Sequence, residues 1–243
     1  MSSHAVKILT STCLATFFSA LSIPVFAGND LNKLSTLQQA EFNRLAKDLT
    51  SVASYKANSP ATPLGLTGFD VAAELAVSQL SDSNVWKKAG ADVSTLVLPK
   101  LHIHKGLPKN FDIGASISML PNSSMKLLGV EARYALFEGG IGTPAVGLRA
   151  AYSQLSGASQ LDFNSKSVEI VASKGFAMFT PYIGAGQVWG SAQAHVLGLQ
   201  KTTPTAGKIF AGLNANFGLM NLAGELDKTG ENQTLSVKLG FRW

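Results

Sequence analysis

The chain has 243 residues, of which 46% are hydrophobic and only 14% are charged, well below the roughly 25% charged residues of soluble domains. Its formal net charge of +5 is scattered along the sequence, which argues against a nucleic-acid-binding patch. Beyond the first residues there is no run of about 20 apolar residues, the length a transmembrane helix needs. An apolar surface must therefore be built from alternating strands or be buried.

Residues 1–27 have the pattern of a secretory signal peptide, in which Lys7 precedes an apolar stretch that reaches Val25. We expect the mature chain to begin at Gly28. Cys13, the only cysteine, lies inside this segment and lacks the sequence context of a lipoprotein acylation site. The sequence thus predicts an exported protein without a disulfide or a thiolate ligand or nucleophile.

Helical periodicity follows within residues 28–57. Apolar residues recur at spacings near 3.6 from Asp30, which is placed to cap the start, to about Tyr55. The apolar positions are Leu31, Leu34, Phe42, Leu45, Leu49 and Val52. This amphipathic helix could plug a barrel or pack at its mouth, lie on the inner leaflet, or bind a periplasmic partner. Its narrow apolar stripe and its mixed charges favour the lumen or mouth.

Residues 58–66 are punctuated by Pro and Gly and are interpreted as a linker. From residue 67 onward, segments of alternating polarity are separated by short turn-rich breaks, as expected for strands with one apolar face. The predicted strands span residues 67–79, 95–104, 111–120, 125–137, 144–155, 160–173, 176–189, 208–219, 221–227 and 233–243. Most of these segments have the length that a tilted strand needs to cross a bilayer, and an even number of strands returns both barrel ends to one side.

The last strand places apolar side chains on one parity and polar or minimal ones on the other. Its apolar residues are Leu235, Val237, Leu239, Phe241 and Trp243. This stretch resembles the closing strand of bacterial outer-membrane β-barrels, which ends in an aromatic residue. The resemblance implies that these residues are a signal for the barrel-assembly machinery. The family usually ends in Phe, so the terminal Trp is a mild departure.

Three further stretches, PATPLGLTGFDVAAEL, LVLPKLHIHKGLPKNFDIGAS and FTPYIGAG, look similar to uncharacterised exported barrel proteins of Gram-negative bacteria. The similarity would cover nearly all of residues 60–243. It implies a ten-stranded antiparallel transmembrane β-barrel over residues 67–243, located in the outer membrane and surrounded by lipid and lipopolysaccharide. It carries no cofactor, catalytic residue or substrate with it.

The aromatic residues of the outward parity support this interpretation. If the C-terminus is periplasmic, most of them fall at periplasmic strand ends, and Tyr152 and Trp189 fall at external ends, as interfacial girdles require. The predicted periplasmic group is Phe69, Phe111, Tyr134, Phe179, Phe217, Phe241 and Trp243. Residues 81–94, 121–124, 156–159, 190–207 and 228–232 then become external loops.

Charged residues and histidines collect on the inward parity. They are Asp70, Glu74, Lys100, His102, His104, Asp112, Glu131, Arg133, Arg149, Glu169, Glu225, Lys238 and Arg242. Hairpin geometry places Asp112 opposite Arg133, so we expect ion pairs across a narrow lumen. His102 and His104 share a face, but no third ligand has a recognisable spacing, so no metal site is predicted.

These observations favour a non-enzymatic outer-membrane barrel, acting as a small channel or as a structural or surface-interaction protein. The alternative is an outer-membrane hydrolase acting on lipid or protein at the cell surface. Its candidate rim residues are Asp82, Asp92, Ser156, Asp162, His195, Asp227 and Glu231, but no nucleophile motif accompanies them. A soluble periplasmic ligand-binding barrel is disfavoured, since it would expose many outward aliphatic and aromatic side chains to water.

Overall fold

The structure, a computed structural model, describes residues 30–120 and 123–243. The predicted signal peptide lies outside the described residues, as do Pro121 and Asn122 of a predicted external loop. The strands are β1 Phe69–Gln79, β2 Thr95–Gly106, β3 Phe111–Met119, β4 Lys126–Phe137, β5 Ala145–Ser156, β6 Leu161–Ser173, β7 Phe179–Ala194, β8 Thr205–Phe217, β9 Met220–Thr229 and β10 Asn232–Arg242.

The ten strands form one closed barrel in which every strand is antiparallel to its chain neighbours. The barrel closes between β1 and β10, where Val71 lies opposite Phe241 and Ser78 opposite Thr234. The backbone N–H of Phe69 also donates to the carbonyl oxygen of Trp243 at 2.8 Å. Closure leaves no strand edge unpaired. The predicted ten-stranded antiparallel barrel is confirmed.

Strands β7, β8 and β9 are longer than the sequence predicts, and the predicted loop at 190–207 shrinks to the residues between Ala194 and Thr205. Outward residues of the added part of β7 include Ser191 and Gln193. We attribute the difference to the end of the apolar band: beyond it, outward side chains need not be apolar, so the alternation fades while strand pairing continues.

The barrel exterior is apolar. Outward side chains remain 42% exposed at Val71, 48% at Ile113, 53% at Val130, 47% at Leu213 and 49% at Val237. A soluble protein rarely leaves so many large apolar side chains on one continuous surface. A closed antiparallel barrel with an apolar outside is the architecture of transmembrane β-barrels.

The helix predicted from Asp30 to about Tyr55 is shorter in the structure, and its N-cap is Gln38, not Asp30. The helical segments are a 3-10 turn at Leu34–Thr36, helix α1 at Gln39–Val52 and helix α2 at Ser83–Ala89. Helix α1 begins where the backbone N–H of Gln38 donates to Glu41 Oε2 at 3.0 Å. Hydrogen bonds from Lys88 and from the Gln38 backbone hold the pKa of the Glu41 carboxyl below its usual value.

Helix α2 was not predicted, although its ends carry recognisable signals. The Asp82 side chain accepts from the backbone N–H of Val85, and Gly90 ends the helix at a φ of 109°. Within the described residues, no helix has both the length and the apolar character required for crossing a membrane.

An apolar core fills one half of the barrel interior, next to helix α1. Phe42 and Leu45 of the helix are fully buried and belong to the same apolar cluster as Trp86 of α2. The wall contributes inward side chains from β2, β4, β5 and β6. These are Leu96, Leu98, Leu127, Leu155, Leu161 and Phe163. The charged residues that the sequence places on the inward parity therefore lie in the other half of the barrel.

An arginine on the outside should distinguish a lipid-facing wall from a water-facing one. Val130 lies near the middle of β4 and points outward. We expect Val130→Arg to lower the free energy of unfolding in phospholipid vesicles by about 2–4 kcal/mol, because the guanidinium would lie in hydrocarbon. The control Ile141→Arg, in a turn where the side chain is 104% exposed, should change it by less than about 0.5 kcal/mol. Equal, small effects in both variants would contradict a lipid-facing wall.

Candidate functional site: the barrel lumen

The charged residues predicted to line the lumen lie inside the barrel. Of that set of thirteen, all but Arg242 are at most 7% exposed, and the Arg242 side chain is 15% exposed. They occupy the inward parity of β1 to β6, β9 and β10. The half of the interior that is not filled by the apolar core is therefore strongly polar, and its charges require partners.

One group of ion pairs joins β1 to β4. Lys100 Nζ lies 3.0 Å from Glu74 Oε1, and His102 Nε2 contacts the other oxygen of the same carboxylate. His104 Nε2 lies 2.7 Å from Glu131 Oε1. Both histidines are therefore held by carboxylates, and no group of three potential metal ligands occurs within residues 30–120 and 123–243.

The predicted hairpin register is confirmed, because Asp112 lies directly opposite Arg133. The Arg133 Nη2 atom is 3.3 Å from Asp112 Oδ2, and its Nε atom is 3.6 Å from Glu131 Oε1. The next strand pair brings like charges together, since Arg133 also lies opposite Arg149. We expected ion pairs between neighbouring strands, and at this position two cationic side chains face each other instead.

The other side of the lumen has its own pairs. Asp70 Oδ2 lies 3.1 Å from Lys238 Nζ and 3.6 Å from Arg242 Nε. Glu169 lies 2.7 Å from Lys208 and 3.7 Å from Arg149. Glu225 makes no ion pair shorter than 4 Å with another described residue, although it is only 2% exposed.

The chain itself passes through this charged half. Residues 53–66, which we call the threaded segment, leave α1 at one end of the barrel and reach β1 at the other. The Ser165 hydroxyl donates to the Ala53 carbonyl at 3.3 Å, and the Ala61 N–H donates to the Ser173 hydroxyl at 3.1 Å. Ala53 and Ala61 are eight residues apart, and so are Ser165 and Ser173, their partners on β6. Between these contacts the segment therefore runs about as extended as the strand and spans roughly 26 Å.

Buried polar contacts hold the threaded segment to the wall. Lys56 Nζ lies 2.8 Å from Asp227 Oδ2, and both side chains are 1% exposed. Further along, the Leu64 N–H donates to Asp112 Oδ1 at 3.1 Å. At the exit, Lys105 Nζ donates to the Leu66 carbonyl oxygen. The segment is therefore bonded from one end of the charged half to the other.

Ser59 accepts hydrogen bonds from both of the arginines that face each other. Arg133 Nη1 donates to the Ser59 hydroxyl at 2.6 Å, and Arg149 Nη2 donates to the Ser59 carbonyl oxygen. Ser59 is 1% exposed. Two guanidinium groups on adjacent strands thus share one residue of the threaded segment, which offers each of them an acceptor.

Glycines in the wall make room for the N-terminal region. A Cβ at Gly129 would lie 2.7 Å from the Tyr55 ring, and one at Gly147 would lie 3.5 Å from the Ala61 carbonyl oxygen. A Cβ at Gly190 would overlap Thr50 of α1, and one at Gly106 would overlap Gly65. All four glycines are inward, so they form a track that follows the chain from helix α1 to β1.

Several residues of this site were missed or misplaced from the sequence. Asp227 was assigned to the external rim as a candidate for catalysis, but it lies inside the barrel and is paired with Lys56. The inward parity of Glu225 was the available signal, since side chains two apart on a strand share a face. On β8, Lys208 shares the parity of the inward Asn214 and is likewise placed inward. Nothing in the sequence pairs Lys56 or Ser59 with distant wall residues.

The remaining rim candidates of the hydrolase alternative do not converge. Asp82 contacts Arg44 at 3.3 Å, and Asp92 contacts Lys87 at 2.9 Å. The Ser156 hydroxyl donates to the Lys126 carbonyl. His195 Nε2 does lie 2.8 Å from Asp162 Oδ2, but these side chains are 49% and 74% exposed. The sixth candidate, Glu231, lines a cleft on the rim together with Asp82, and this cleft does not include His195 or Asp162.

These features define a class, the transmembrane β-barrel filled by its own N-terminal region. No family model matches the chain, and no curated protein matches it by sequence. Among solved structures, it is similar to an outer membrane channel from Pseudomonas putida F1, with 11% identity, a TM-score of 0.47 and coverage of 78% of this chain and 99% of that chain. It is also similar to the N-terminal β-barrel domain of Pseudomonas aeruginosa OprF, with 13% identity, a TM-score of 0.38 and coverage of 74% and 99%.

A third similar structure is Ail, the attachment invasion locus protein of Yersinia pestis, with 14% identity, a TM-score of 0.32 and coverage of 73% of this chain and 99% of that chain. Sequence identities this low indicate similarity in the barrel fold alone.

A methyl group on the glycine track should disturb the threaded segment. We expect Gly129→Ala to lower the free energy of unfolding by about 1–3 kcal/mol, because the added Cβ would overlap the Tyr55 ring and overpacking forces side chains to shift. The matched control is Gly224→Ala on β9, where a Cβ has no neighbour within 4 Å, and it should not destabilise the barrel. Both are measured by denaturant titration in the same lipid, and equal effects would show that Tyr55 does not occupy this position.

The buried pair between segment and wall can be tested by a double-mutant cycle. Lys56→Met leaves Asp227 buried without its ammonium and should destabilise the barrel by about 3–5 kcal/mol, and Lys56→Met/Asp227→Leu should recover most of that loss. The control Lys87→Met breaks the pair with Asp92, whose side chains are 65% and 73% exposed, and should change stability by less than about 1 kcal/mol. If the loss of stability in the double variant equals the sum of the losses in Lys56→Met and Asp227→Leu, the two side chains are not coupled.

Proposed function

We propose that the protein is a bacterial outer-membrane barrel that is closed to permeation by its own N-terminal region. Helices α1 and α2 would form a helical cap at the cell surface. In this role it is a structural or surface-interaction protein and has no enzymatic activity. The observation that carries the proposal is the threaded segment. All residues from Ser51 to Pro60 are buried, so the segment occupies the lumen where solute would have to pass.

The lengths of the barrel's connections support one orientation in the membrane. At the end near α1, ten residues separate β7 from β8, and α2 with its flanks separates β1 from β2. At the opposite end only Gly218 and Leu219 separate β8 from β9, and β1 begins and β10 ends there. Outer-membrane barrels have short periplasmic turns and longer external loops. This supports an external cap and a periplasmic C-terminus.

Aromatic side chains support two membrane boundaries. At the proposed periplasmic end the Phe69 and Trp243 rings stack at 5.4 Å, and the Phe111 and Tyr134 rings lie 4.6 Å apart. Near the other end, Tyr152 and Trp189 flank Lys166 across three neighbouring strands. Amphipathic rings and snorkelling lysines are typical of bilayer interfaces.

The proposal includes the surroundings and the biogenesis of the barrel. Lipid and lipopolysaccharide would contact the apolar exterior, and residues 1–27 would direct export. The last strand, with the outward side chains of Leu235, Val237, Leu239, Phe241 and Trp243, would serve as the signal for the barrel-assembly machinery. Its outward residues are 49% to 57% exposed, which leaves the side chains of the signal accessible on the outer face.

A gated channel is the second candidate, and the charged half of the lumen favours it. If the threaded segment left, the inward charges of β1 to β6 and of β8 to β10 would line a polar passage, whose selectivity they would set. The two candidates differ in whether the N-terminal region stays in place while the barrel is at rest in a bilayer.

Single-barrel conductance in planar bilayers tests the proposal. We expect the wild-type barrel to show no conductance steps, and a variant lacking residues 28–64 to show them, because the deletion removes Lys56, Ser59 and the rest of the plug. Steps in the wild-type barrel would support the gated channel. Steps in neither protein, with the deletion variant correctly folded, would show that the wall alone closes the lumen.

An engineered disulfide keeps the test decisive if the deletion variant does not fold. A Cβ at Gly190 would lie 3.0 Å from the Thr50 Cβ, so Thr50→Cys/Gly190→Cys should tether α1 to β7 after a small shift. The control Ser78→Cys/Thr234→Cys joins directly opposite residues of β1 and β10 and leaves the helix free. For a closed barrel, oxidation changes nothing in either variant. Conductance that disappears only when α1 is tethered would establish gating by the N-terminal region.

A further inference from the structure

The described chain begins at the external end of the barrel in the proposed orientation. There the Ser123 hydroxyl, in the connection between β3 and β4, donates to Asp30 Oδ1 at 2.6 Å. The chain then forms helix α1, passes down the lumen as the threaded segment and enters β1 at the periplasmic end. A protein that reaches the outer membrane from the periplasm must therefore carry α1 across the membrane within its own barrel.

The charged half of the lumen fits an extended chain closely. Glycines leave the wall bare where the threaded segment passes, and a Cβ at Gly129 would lie 2.7 Å from the Tyr55 ring. Long inward side chains, such as those of Arg133 and Lys238, are buried there and take up further room. An α-helix with its side chains is about 10–12 Å wide, whereas neighbouring extended chains lie only about 4.8 Å apart. A folded α1 would therefore not pass through the charged half of a closed barrel.

Polarity opposes the alternative, in which an unfolded N-terminal region is threaded through a closed barrel. The side chains of Phe42 and Leu45, which are fully buried in the apolar core, would have to pass between the inward charges. Until the threaded segment arrived, Asp227 would also lack the ammonium of Lys56. A charge that is desolvated by a passing apolar side chain, or buried without its partner, is strongly unfavourable. The N-terminal region therefore has to be inside before the barrel is complete.

One strand pair differs from the others in sequence separation. Within the described chain, nine of the ten strand pairs join consecutive strands, and only β1 and β10 are far apart. Their opposed residues Ser78 and Thr234 are separated by 156 positions. Local hairpins form before distant pairs, because the entropy cost of closing a long loop has to be overcome first. Before β1 pairs with β10 the sheet is open along one side, and the N-terminal region can lie against its inward face.

We infer that the barrel closes around its N-terminal region, so that the pairing of β1 with β10 is the last step and encloses α1 and the threaded segment. The segment contacts β6 through Ala53 and Ala61, and Lys56 reaches Asp227 on β9. Because the segment continues into β1, its bond to β9 also brings β1 next to β10. The N-terminal region is thus a template for closure. The inference rests on the proposed function only for which end of the barrel is external.

Pulse oxidation during refolding of the full-length mature chain into phospholipid vesicles measures the order of closure. The only cysteine lies in the predicted signal peptide, so the mature chain offers no competing thiol. Thr50→Cys/Gly190→Cys reports the seating of α1, and Ser78→Cys/Thr234→Cys, at two hydroxyl groups 2.9 Å apart, reports the β1–β10 pair. With each yield normalised to that of the folded barrel, we expect the α1 disulfide to be trapped no later than the β1–β10 disulfide. A β1–β10 disulfide that forms first would overturn the inference.

The rate at which the β1–β10 disulfide becomes trappable tests the template role. We expect Lys56→Met, added to Ser78→Cys/Thr234→Cys, to slow this step by at least roughly threefold, because interactions already present in the transition state set the folding rate. The control Lys87→Met breaks an exposed pair with Asp92 and should leave the rate unchanged. If Lys56→Met leaves the closing rate unchanged and only speeds unfolding, the buried pair forms after closure and the template role is wrong.

A labelling experiment separates the inference from the orientation on which it rests. Lys33→Cys lies ahead of α1 and Ile141→Cys lies in a turn at the opposite end, and both positions are exposed. In intact cells a membrane-impermeant maleimide should label only Lys33→Cys, which shows that the N-terminal region has reached the exterior. Labelling of Ile141→Cys alone would reverse the barrel and overturn the transport of α1 to the cell surface. Late seating of α1 together with the expected labelling would leave the proposed function intact and overturn closure around the N-terminal region.

Discussion

Contact between the threaded segment and the barrel wall is the constraint on which the rest of the structure depends. The wall carries many inward charges, and a buried charge without a partner is strongly destabilising. The segment supplies an ammonium for Asp227, two acceptors for Arg133 and Arg149, and a backbone N–H for Asp112. The threaded segment and the wall therefore supply each other's hydrogen-bond and ion-pair partners, and neither has its full set of hydrogen bonds alone.

The same constraint explains why the two halves of the lumen differ in polarity. Helix α1 satisfies most of its backbone groups internally, so the wall that faces it can be apolar, as at Leu127 and Phe163. Within the extended segment no backbone N–H donates to a backbone carbonyl of the same segment, so its N–H and C=O groups need other partners, among them the wall. The change from apolar core to charged lumen thus follows the change from helix to extended chain near Ala53.

The sequence predicted the barrel well because each outward residue meets the same surroundings. Val130 and Val237 face lipid whatever their neighbours are, so alternation alone reveals their parity. The lumen was less predictable because its contacts join residues far apart in the chain, as Lys56 and Asp227 are. The inward position of Asp227 was predictable from its parity, since it lies two residues after Glu225 on the same strand. Helix α2 was likewise predictable from the residues that cap its two ends, Asp82 and Gly90.

Alternation also fixes the position of the threaded segment within the lumen. Successive side chains of an extended chain point in opposite directions. Tyr55 packs on Gly129 of β4, and Lys56 reaches Asp227 of β9, which is five strands away in a barrel of ten. A slip of one residue would turn the ammonium toward β4, where Glu131 already has His104 and Arg133 as partners. It would also direct the Tyr55 ring at the Asp227 carboxylate. Both changes leave a buried charge uncompensated. The inward charges of the wall that need partners from the threaded segment therefore also determine its register.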